Sequence, residues 1–286
     1  IFLFFILGLC LLHSETSQAA GLPAGMAMKK NTNKTDPQAQ IPEGLSPDEV
    51  DKYLEDSQGV VVPIGATEQH GPTGLIGTDA ICAETLAWRV GEIADAAVSP
   101  TLSVGMSEHH MRFPGSVTLR PSTLVSVVRD VVVSLARHGF RRVYFINGHG
   151  GNTASIDAGF FEAYTDLPTR VTGGDEVRCL CSEWWTMPAA QRLSAELFGD
   201  KDGDHATASE VSIAAAAFPE HLKRAEMDPE PPPSNRLFGP ADFRRRYPEG
   251  RMGSHPELAS VRAGQRLIDE VSRDLAEGYR VFVTED

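Results

Sequence analysis

Apolar residues along this chain form short continuous runs, separated by longer stretches in which they recur every three to five positions. Val60–Ile64 and Arg141–Ile146 are rich in β-branched and aromatic residues, and each ends at a polar loop that contains glycine. Runs of this length and composition predict strands. Two further strands are predicted over Ala97–Leu102 and over Arg170–Thr172 together with Val177–Cys181.

The longer stretches have the spacing of amphipathic helices. The predicted helices are one capped by Ser46, followed by Ala80–Ala94, Leu124–His138, Ile156–Tyr164, Ala206–Phe218 and Ser260–Tyr279. The composition, 286 residues of which 41% are hydrophobic and 23% charged, is that of a globular chain long enough for one large α/β domain. We assign this domain to residues 43–286.

The net charge of −13, with nine histidines counted as neutral, bears on the class of partner. Nucleic-acid backbones and anionic membrane surfaces attract basic proteins. We therefore expect neither of them as a partner of this acidic chain.

The first residues have the pattern of a secretory signal peptide. Ile1–Leu12 is an apolar run of signal-peptide length, too short for a comfortable membrane span, and small residues follow it up to a cleavage position after Ala19. A buried strand or helix of the domain is the alternative for this run. We predict a signal peptide over 1–19, a disordered linker over 20–42, and an exported, periplasmic protein that keeps no membrane span after processing.

Cysteine use is compatible with export but does not require it. Cys10 would leave with the signal peptide, so that Cys82, Cys179 and Cys181 remain. Residues two positions apart form a strained bridge. We therefore expect buried free thiols.

The loop after the first predicted strand brings acidic and histidine side chains close together. Glu68 and His70 stand two residues apart, so in extended backbone they project to the same side, and Asp79 follows after several glycines. One nitrogen and two oxygens suit Zn²⁺, Mn²⁺ or Fe²⁺ better than Ca²⁺, which prefers oxygen alone. A solvated polar turn is the alternative interpretation.

Two later segments repeat this combination of residues. The strand that ends at Ile146 runs into NGHGGN, in which glycines surround His149. A phosphate-binding loop is the alternative there, but the spacing fits neither GxGxxG nor GxxxxGK[ST]. The third segment is Asp202–His205, with Glu210 five residues after the histidine.

Several motifs now stand in a definite order: TEQHG with a later GTD, then FPGSVTLRPSTL, NGHGGN, DHATASE and a glycine-rich GRMGSHP. In these motifs the chain resembles the creatininase-like amidohydrolases, from Pro42 to its end. The resemblance implies a three-layer α/β/α sandwich with a mostly parallel sheet and a site for two divalent metal ions. It also implies hydrolysis of a non-peptide or cyclic C–N amide bond in a small molecule by a metal-bound hydroxide, and a homo-oligomer, which is a hexamer in relatives.

The resemblance assigns metal ligands residue by residue. Glu68, Asp79 and His149 match the ligands of one ion, while His70 and the shared Asp79 match ligands of the other. Zn²⁺ is the first expectation, with Mn²⁺ or Fe²⁺ as alternatives. The family pattern has a further Glu two residues after the histidine of NGH, but Gly151 occupies that position here. Another carboxylate must therefore complete the second set, unless that ion binds weakly through His70, Asp79 and water.

Glu210 is the predicted fifth ligand, with Asp202 and Asp204 as alternatives. Five residues along a helix correspond to about 500° of rotation, so Glu210 faces the same way as His205 only if that histidine lies in the loop before the helix. By resemblance, His205 is the general acid or base near neutral pH. A creatininase-like peptidase, and an exported metal- or solute-binding protein without catalysis, are the alternative functions.

Further residues are predicted to surround the pocket. His109 and His110 are adjacent, and because neighbouring side chains diverge we expect only His110 to reach the pocket or its ligands, a structural loop histidine being the alternative. Trp184 and Trp185 end a strand, so either could belong to the core or wall the pocket. Pro229–Pro248 is predicted to be a long surface excursion over the pocket mouth or at a subunit contact.

Overall fold

In the computed structural model, residues 45–285 are described. The predicted signal peptide over 1–19 and the predicted linker over 20–42 lie outside the described residues. The strands are β1 (Gly59–Ile64), β2 (Ala97–Val98), β3 (Arg142–Asn147) and β4 (Arg178–Glu183). They form one sheet in the order β2-β1-β3-β4, and every pair of neighbours is parallel.

Helices connect the strands, as parallel pairing requires. They are α1 (Pro47–Asp56), α2 (Thr78–Ala94), α3 (Pro121–Arg137), α4 (Thr153–Arg170), α5 (Pro188–Leu197), α6 (Ala208–Ala217), α7 (Pro240–Arg246) and α8 (Val261–Thr284). Within residues 45–285, none of these helices combines the length and the apolar composition that a membrane crossing requires.

The inner strands β1 and β3 are buried on both faces, which explains why they read as continuous apolar runs, whereas the edge strand β4 is only partly covered. Val61 and Ile146 pack on one face with residues of α2, α5, α6 and α8. Val60, Val62 and Phe145 pack on the other face with residues of α3 and α4. Alternate residues of a strand point to opposite faces, so helices cover both sides of the sheet. The predicted three-layer α/β/α sandwich is confirmed.

Two strand predictions are wrong in their bounds. Arg170–Thr172 is not a strand, because α4 continues to Arg170 and keeps the apolar Leu167 buried against the core. The strand predicted over Ala97–Leu102 ends at Val98. Pro100 has no N–H to donate to a neighbouring strand. Beyond it, Leu102 forms an isolated parallel bridge with Ile64.

Within the described residues the predicted free thiols are found, but only one of the three is fully buried as expected. Cys82, Cys179 and Cys181 are all free, the first buried and the other two partly buried. Burial raises the pKa of each of these thiols. They are therefore protonated near neutral pH, and none belongs to a group of candidate metal ligands.

Candidate metal centre

The centre forms where the carboxyl ends of β1 and β3 lie side by side. Ile64 pairs with Asn147 at the ends of these strands, so the loop that follows β1 meets the NGHGGN loop. Gly148 permits this approach, because a Cβ on it would lie 2.2 Å from the backbone oxygen of Asp79. Asn152 fastens the two loops, since its amide nitrogen donates to the backbone oxygen of Gly65 at 2.9 Å.

The loops bring together most of the predicted ligands. One group comprises Glu68, Asp79 and His149, and a second comprises His70, His205 and Glu210; the potential ligand atoms within each group lie within 4.8 Å of one another. Glu68, His110 and His205 meet the same distance condition, but this third combination has only one carboxylate, which it shares with the first group. All three side chains of the first group are buried, whereas in the second only His70 is fully buried.

Asp79 connects the two groups through its two oxygens. Oδ1 lies 2.9 Å from Nε2 of His70. Oδ2 lies 3.2 Å from Nδ1 of His149. A carboxylate with each oxygen directed to a different histidine has the arrangement needed to bridge two neighbouring cations.

Backbone carbonyls determine which ring nitrogen of His149 and which of His70 carries a hydrogen. Nε2 of His149 lies 2.9 Å from the backbone oxygen of Met106, and Nδ1 of His70 lies 3.1 Å from the backbone oxygen of Glu68. Because a carbonyl oxygen only accepts, each of these nitrogens carries hydrogen and donates it. The other ring nitrogen, Nδ1 of His149 or Nε2 of His70, is then left to coordinate, as in metal sites whose histidines are oriented by such bonds.

The remaining polar atoms fit a bound cation. Both carboxylate oxygens of Glu68, Oδ2 of Asp79 and Nε2 of His70 are buried, and among the described residues they make only the ion-pair contacts within the cluster and no hydrogen bond. Burying carboxylate oxygens without hydrogen bonds is costly. Nitrogen and carboxylate donors together suit Zn²⁺, Mn²⁺ or Fe²⁺. The residues therefore fit divalent ions.

The carboxylates dominate the electrostatics of the metal-free site. Burial lowers the pKa of His70, but Asp79, Glu210 and Glu68 outweigh it and raise this pKa to about 10. Burial likewise lowers the pKa of His149, whereas Glu68 and Asp79 raise it to about 9. Burial raises the pKa of Asp79, but His70 and His149 prevail and hold it well below its usual range. Protons thus occupy the site when metal does not.

Glu210 is the candidate fifth ligand that reaches the cluster. It stands in the first turn of α6, where Thr207 caps the helix and Glu210 completes a capping box. One of its carboxylate oxygens, Oε1, accepts from the backbone of Thr207, while Oε2 lies 3.8 Å from Nε2 of His70. Burial raises the pKa of this carboxyl to about 7, against the opposing effect of His70.

The two alternatives to Glu210 lie outside both groups. Asp202 already accepts from the backbone of Ser209 at 2.8 Å and from the hydroxyl of Ser194. Asp204 is exposed at the cavity. Geometry therefore favours Glu210.

Gly151 cannot be replaced by the family's glutamate without a shift of the loop. A Cβ on it would lie 2.4 Å from Nε2 of His149 and 2.6 Å from the backbone oxygen of Met106. This loop conformation leaves no room for a side chain. A carboxylate for the second group has to come from another part of the fold.

His205 lies in the loop before α6, which is the condition under which it and Glu210 face the same way. The helix begins at Ala208 rather than at the predicted Ala206, whose φ of 55° breaks the helical path. Nδ1 of His205 lies 3.7 Å from Oε1 of Glu68. Burial, together with the neighbouring His110, holds the pKa of His205 well below its ordinary value.

The prediction that His109 and His110 diverge is wrong. They belong to a 3-10 turn, Glu108–His110, and their ring centroids lie only 4.1 Å apart, because both rings pack on Phe243. His110 reaches the centre from behind: its Nε2 lies 3.1 Å from Oε1 of Glu68. His109 faces the cavity beside His149.

Two residues of the centre were not predicted from the sequence. Phe243, from α7, is 1% exposed and packs against the rings of His109, His110 and His205. Gln69 is buried below His110 and His205. The position of Gln69 between Glu68 and His70 is the one feature of the sequence that could have indicated a role for it. Phe243 lies far away in the sequence, and no pattern there indicates that it contacts the histidines.

A cavity of about 1120 Å³ opens above the centre. Trp184 and Trp185 both line it, and Trp184 also belongs to the core, so the two predicted alternatives do not exclude each other. Leu237 and Phe238 close another side. The predicted excursion over Pro229–Pro248 thus lies at the cavity, but it includes the helix α7 rather than being loop throughout.

Comparisons with known proteins agree with this architecture. The creatinine amidohydrolase of Pseudomonas putida is 29% identical over 233 residues, which are 77% of this chain and 88% of that enzyme. The mycofactocin precursor peptide peptidase of Mycolicibacterium smegmatis is 36% identical over 105 residues, only 35% of this chain and 42% of the peptidase. A solved structure described as "Creatininase Mn" matches with a TM-score of 0.76 at 25% identity and covers 86% of this chain and 99% of its own.

The family-level comparison extends over most of the chain. The model of the creatininase family, described as creatinine amidohydrolase, matches residues 43–278. This range contains all the side chains of the two candidate ligand groups. The chain therefore belongs to the creatininase family of amidohydrolases.

Proposed function

We propose that this protein is a metal-dependent hydrolase that cleaves a C–N amide bond other than a peptide bond in a small molecule. The observation that carries the proposal is the arrangement at Asp79, whose two oxygens face His70 at 2.9 Å and His149 at 3.2 Å. A simple salt bridge needs one partner, whereas one carboxylate that faces Nε2 of His70 and Nδ1 of His149 suits a pair of ions. Membership of an amidohydrolase family supports the same reading.

The side chains divide into two proposed ligand sets. Glu68, Asp79 and His149 would hold one ion, while His70, Asp79 and Glu210 would hold the other. Such ions, when bound, acidify water and polarise the scissile carbonyl. Zn²⁺ is the ion we propose, with Mn²⁺ or Fe²⁺ as alternatives, because all three suit this donor set.

His205 is the proposed general acid or base. It stands beside both sets, and it is not needed to complete either of them. Its lowered pKa leaves the ring neutral near pH 7, which is the state that a general base must have before proton transfer. A protein that only bound metal or solute would have no use for such a group, and this argues for catalysis.

The test is hydrolysis of creatinine and other cyclic and acyclic amides by protein loaded with Zn²⁺ or Mn²⁺ and by the same protein after chelation. We expect turnover of at least one small amide that disappears on chelation and returns with metal. Turnover that survives complete removal of metal would contradict the proposed mechanism, and metal binding without any turnover would favour a binding protein.

Peptide cleavage is the second candidate, since the Mycolicibacterium peptidase is the more identical relative over the part that it shares. The cavity also exceeds the volume that a small cyclic amide needs: at about 1120 Å³ it is larger than the roughly 300–1,000 Å³ of pockets that enclose drug-sized ligands. A panel of short peptides assayed beside the small amides distinguishes the two, because the better substrate class is the one with the higher kcat/KM.

Export and oligomerisation are proposed on the sequence pattern and on family resemblance. Amino-terminal sequencing after cell fractionation would find the mature chain beginning near Ala20 in the periplasm; an intact terminus in the cytoplasm would contradict export. Light scattering would find a homo-oligomer, and a mass equal to one chain would contradict it.

A further inference from the structure

The side chain of Gln69 is buried below the metal centre and contacts His110 and His205, two of the three histidines of the centre that are not assigned as ligands. Its Oε1 lies 2.9 Å from the backbone nitrogen of Gly71. Its Nε2 lies 3.0 Å from the backbone oxygen of Gly250, 2.9 Å from Nδ1 of His110 and 2.9 Å from Nε2 of His205.

The backbone determines which way this amide points. The nitrogen of Gly71 can only donate, and the oxygen of Gly250 can only accept. The amide oxygen of Gln69 must therefore face Gly71, and its nitrogen must face Gly250. The reverse orientation would place two donors together at one end and two acceptors together at the other.

The orientation of the amide then assigns the ring hydrogens of both histidines. The amide nitrogen has two hydrogens, and one of them goes to Gly250. Nε2 of His205 also lies 2.9 Å from the backbone oxygen of Gln69, so a hydrogen on that nitrogen has an acceptor. The second amide hydrogen is left for Nδ1 of His110, which accepts it only if it carries none itself.

This assignment satisfies more of the contacts than the alternatives do; it leaves only His205 Nε2 and the amide nitrogen of Gln69, 2.9 Å apart, as two donors facing each other. If His205 Nε2 accepted from the amide instead, the backbone oxygen of Gln69 would lose its donor and Nδ1 of His110 would have none. A second contact is of the electrostatic kind: Nε2 of His110 lies 3.1 Å from Oε1 of Glu68, although the two atoms are not aligned as a hydrogen bond. A hydrogen on that nitrogen attracts the carboxylate, whereas a lone pair would repel it.

We propose that Gln69 is a positioning residue that fixes the hydrogens of His110 and His205, both on Nε2. His110 then presents an N–H to the proposed ligand Glu68 and supports its carboxylate from behind. His205 presents its unprotonated Nδ1, 3.7 Å from Oε1 of Glu68, as the ring nitrogen left for a substrate. This last consequence rests on the proposed function, whereas the positions of the hydrogens do not.

The first test is nitrogen NMR of the zinc-loaded wild-type protein, labelled with ¹⁵N only in histidine, with a His110→Gln variant to assign its signals. The ¹⁵N chemical shifts of ring nitrogens that carry a hydrogen are well separated from those of ring nitrogens that do not. We expect His110 to carry its hydrogen on Nε2 and to have an unprotonated Nδ1. Hydrogen on Nδ1 of His110 would overturn the proposal, whether or not the protein hydrolyses any amide tested.

The second test is Gln69→Glu, which keeps the shape and the acceptor for Gly71 but replaces the donor by an oxygen. That oxygen favours a hydrogen on Nδ1 of His110. The ¹⁵N chemical shift of this nitrogen should therefore move to the range of protonated ring nitrogens. We expect kcat to fall about 10–100-fold, the usual effect of losing a group that orients metal ligands, with little change in KM.

Gln191→Glu is the matched control, because Gln191 lines the same cavity but contacts neither histidine ring. It adds the same charge and should leave the histidine signals in place. Equal shifts in both variants would mean that charge alone moves them, and the proposal would fail. If Gln69→Glu does not fold, the wild-type spectrum still decides.

Discussion

The two groups of candidate ligands differ in the parts of the fold that hold them. Glu68, Asp79 and His149 all follow the ends of sheet strands, directly or at the start of α2, and all are buried. The other group depends on Glu210, in the first turn of α6, and on His205, in the loop before it; both are only partly buried. Glu210 also caps its own helix.

This difference separates a rigid site from a conditional one. The sheet fixes the first group, and a backbone carbonyl holds the ring of His149. In the second group, one oxygen of Glu210 already bonds to Thr207, and its pKa near 7 means that protons compete for the carboxylate. We infer that the first group binds its ion more tightly, and that loss of metal begins at the second.

The largest effect is expected from Asp79→Ala, because Asp79 belongs to both proposed ligand sets. Metal content should fall from about two ions per chain to near none, and hydrolysis should be abolished. Elemental analysis of the purified variant measures this directly. Asp130→Ala, which removes an exposed aspartate on α3, is the control and should retain both ions; one ion retained in Asp79→Ala would mean that the two sets do not share this residue.

His205→Asn should lower kcat by about 10²–10⁴-fold, the usual effect of removing a proton-transfer group. Metal content should stay unchanged, since neither proposed set includes this histidine. Steady-state kinetics with elemental analysis on the same preparation gives both results. His221→Asn, at an exposed site, is the control. If His205→Asn loses metal, then His205 is a ligand and its assigned role is wrong.

Glu210→Ala should leave about one ion per chain, because it removes a carboxylate of one set only. Glu210→Gln separates the capping role of this residue from its proposed role as a metal ligand. Glutamine can still complete a capping box but lacks the negative charge that favours binding of a cation. Both variants should lose the same ion. Full occupancy in Glu210→Ala with loss in Asp204→Ala would transfer the role to Asp204.

Metal affinity should rise with pH. In the metal-free protein the pKa values of His70 and His149, about 10 and about 9, leave both rings protonated at neutral pH, and an ion must displace these protons. Below both values, the association constant should increase about tenfold per pH unit for each proton displaced. Competition with a chelator between about pH 6 and pH 8 measures the slope; a flat profile would contradict the charge states described.

Thr207→Ala should have the smallest effect, a loss of about 1 kcal/mol in the free energy of unfolding through the missing helix cap. The change should also weaken the binding of the ion held through Glu210, because hydrogen bonds between Thr207 and Glu210 position that carboxylate. Ser260→Ala removes the comparable cap of α8 and serves as the control. Equal destabilisation with weaker metal binding only in Thr207→Ala is the expected result, measured by chemical denaturation and elemental analysis.

The sequence predicted the parts of the molecule in which local pattern and fold agree. Val60–Ile64 is apolar throughout and is a buried strand, and the polar loops after β1 and β3 meet because parallel strands align their ends. The resemblance supplied the pairing of Glu68, His70, Asp79 and His149, which no spacing argument could have matched to two groups. Glu210 followed from the gap that Gly151 leaves in the pattern.

What the sequence did not predict depends on contacts between distant segments. Phe243 reaches the histidines from a helix in the excursion, and nothing in its neighbours marks it. His109 and His110 converge because a 3-10 turn and a shared aromatic neighbour override the divergence expected of adjacent side chains. The error at Arg170–Thr172 has the same origin, since packing against the core extends α4 beyond its local signal.

The close contacts around Gly151 also limit which substitutions this position could accept during evolution. A glutamate introduced there would have to move His149, whose Nε2 lies 2.4 Å from the position of the new Cβ. One substitution would therefore trade one ligand for another instead of adding one. Any mutational route to the glutamate of the family pattern passes through a variant with an impaired first group, unless changes near Met106 first reopen the loop.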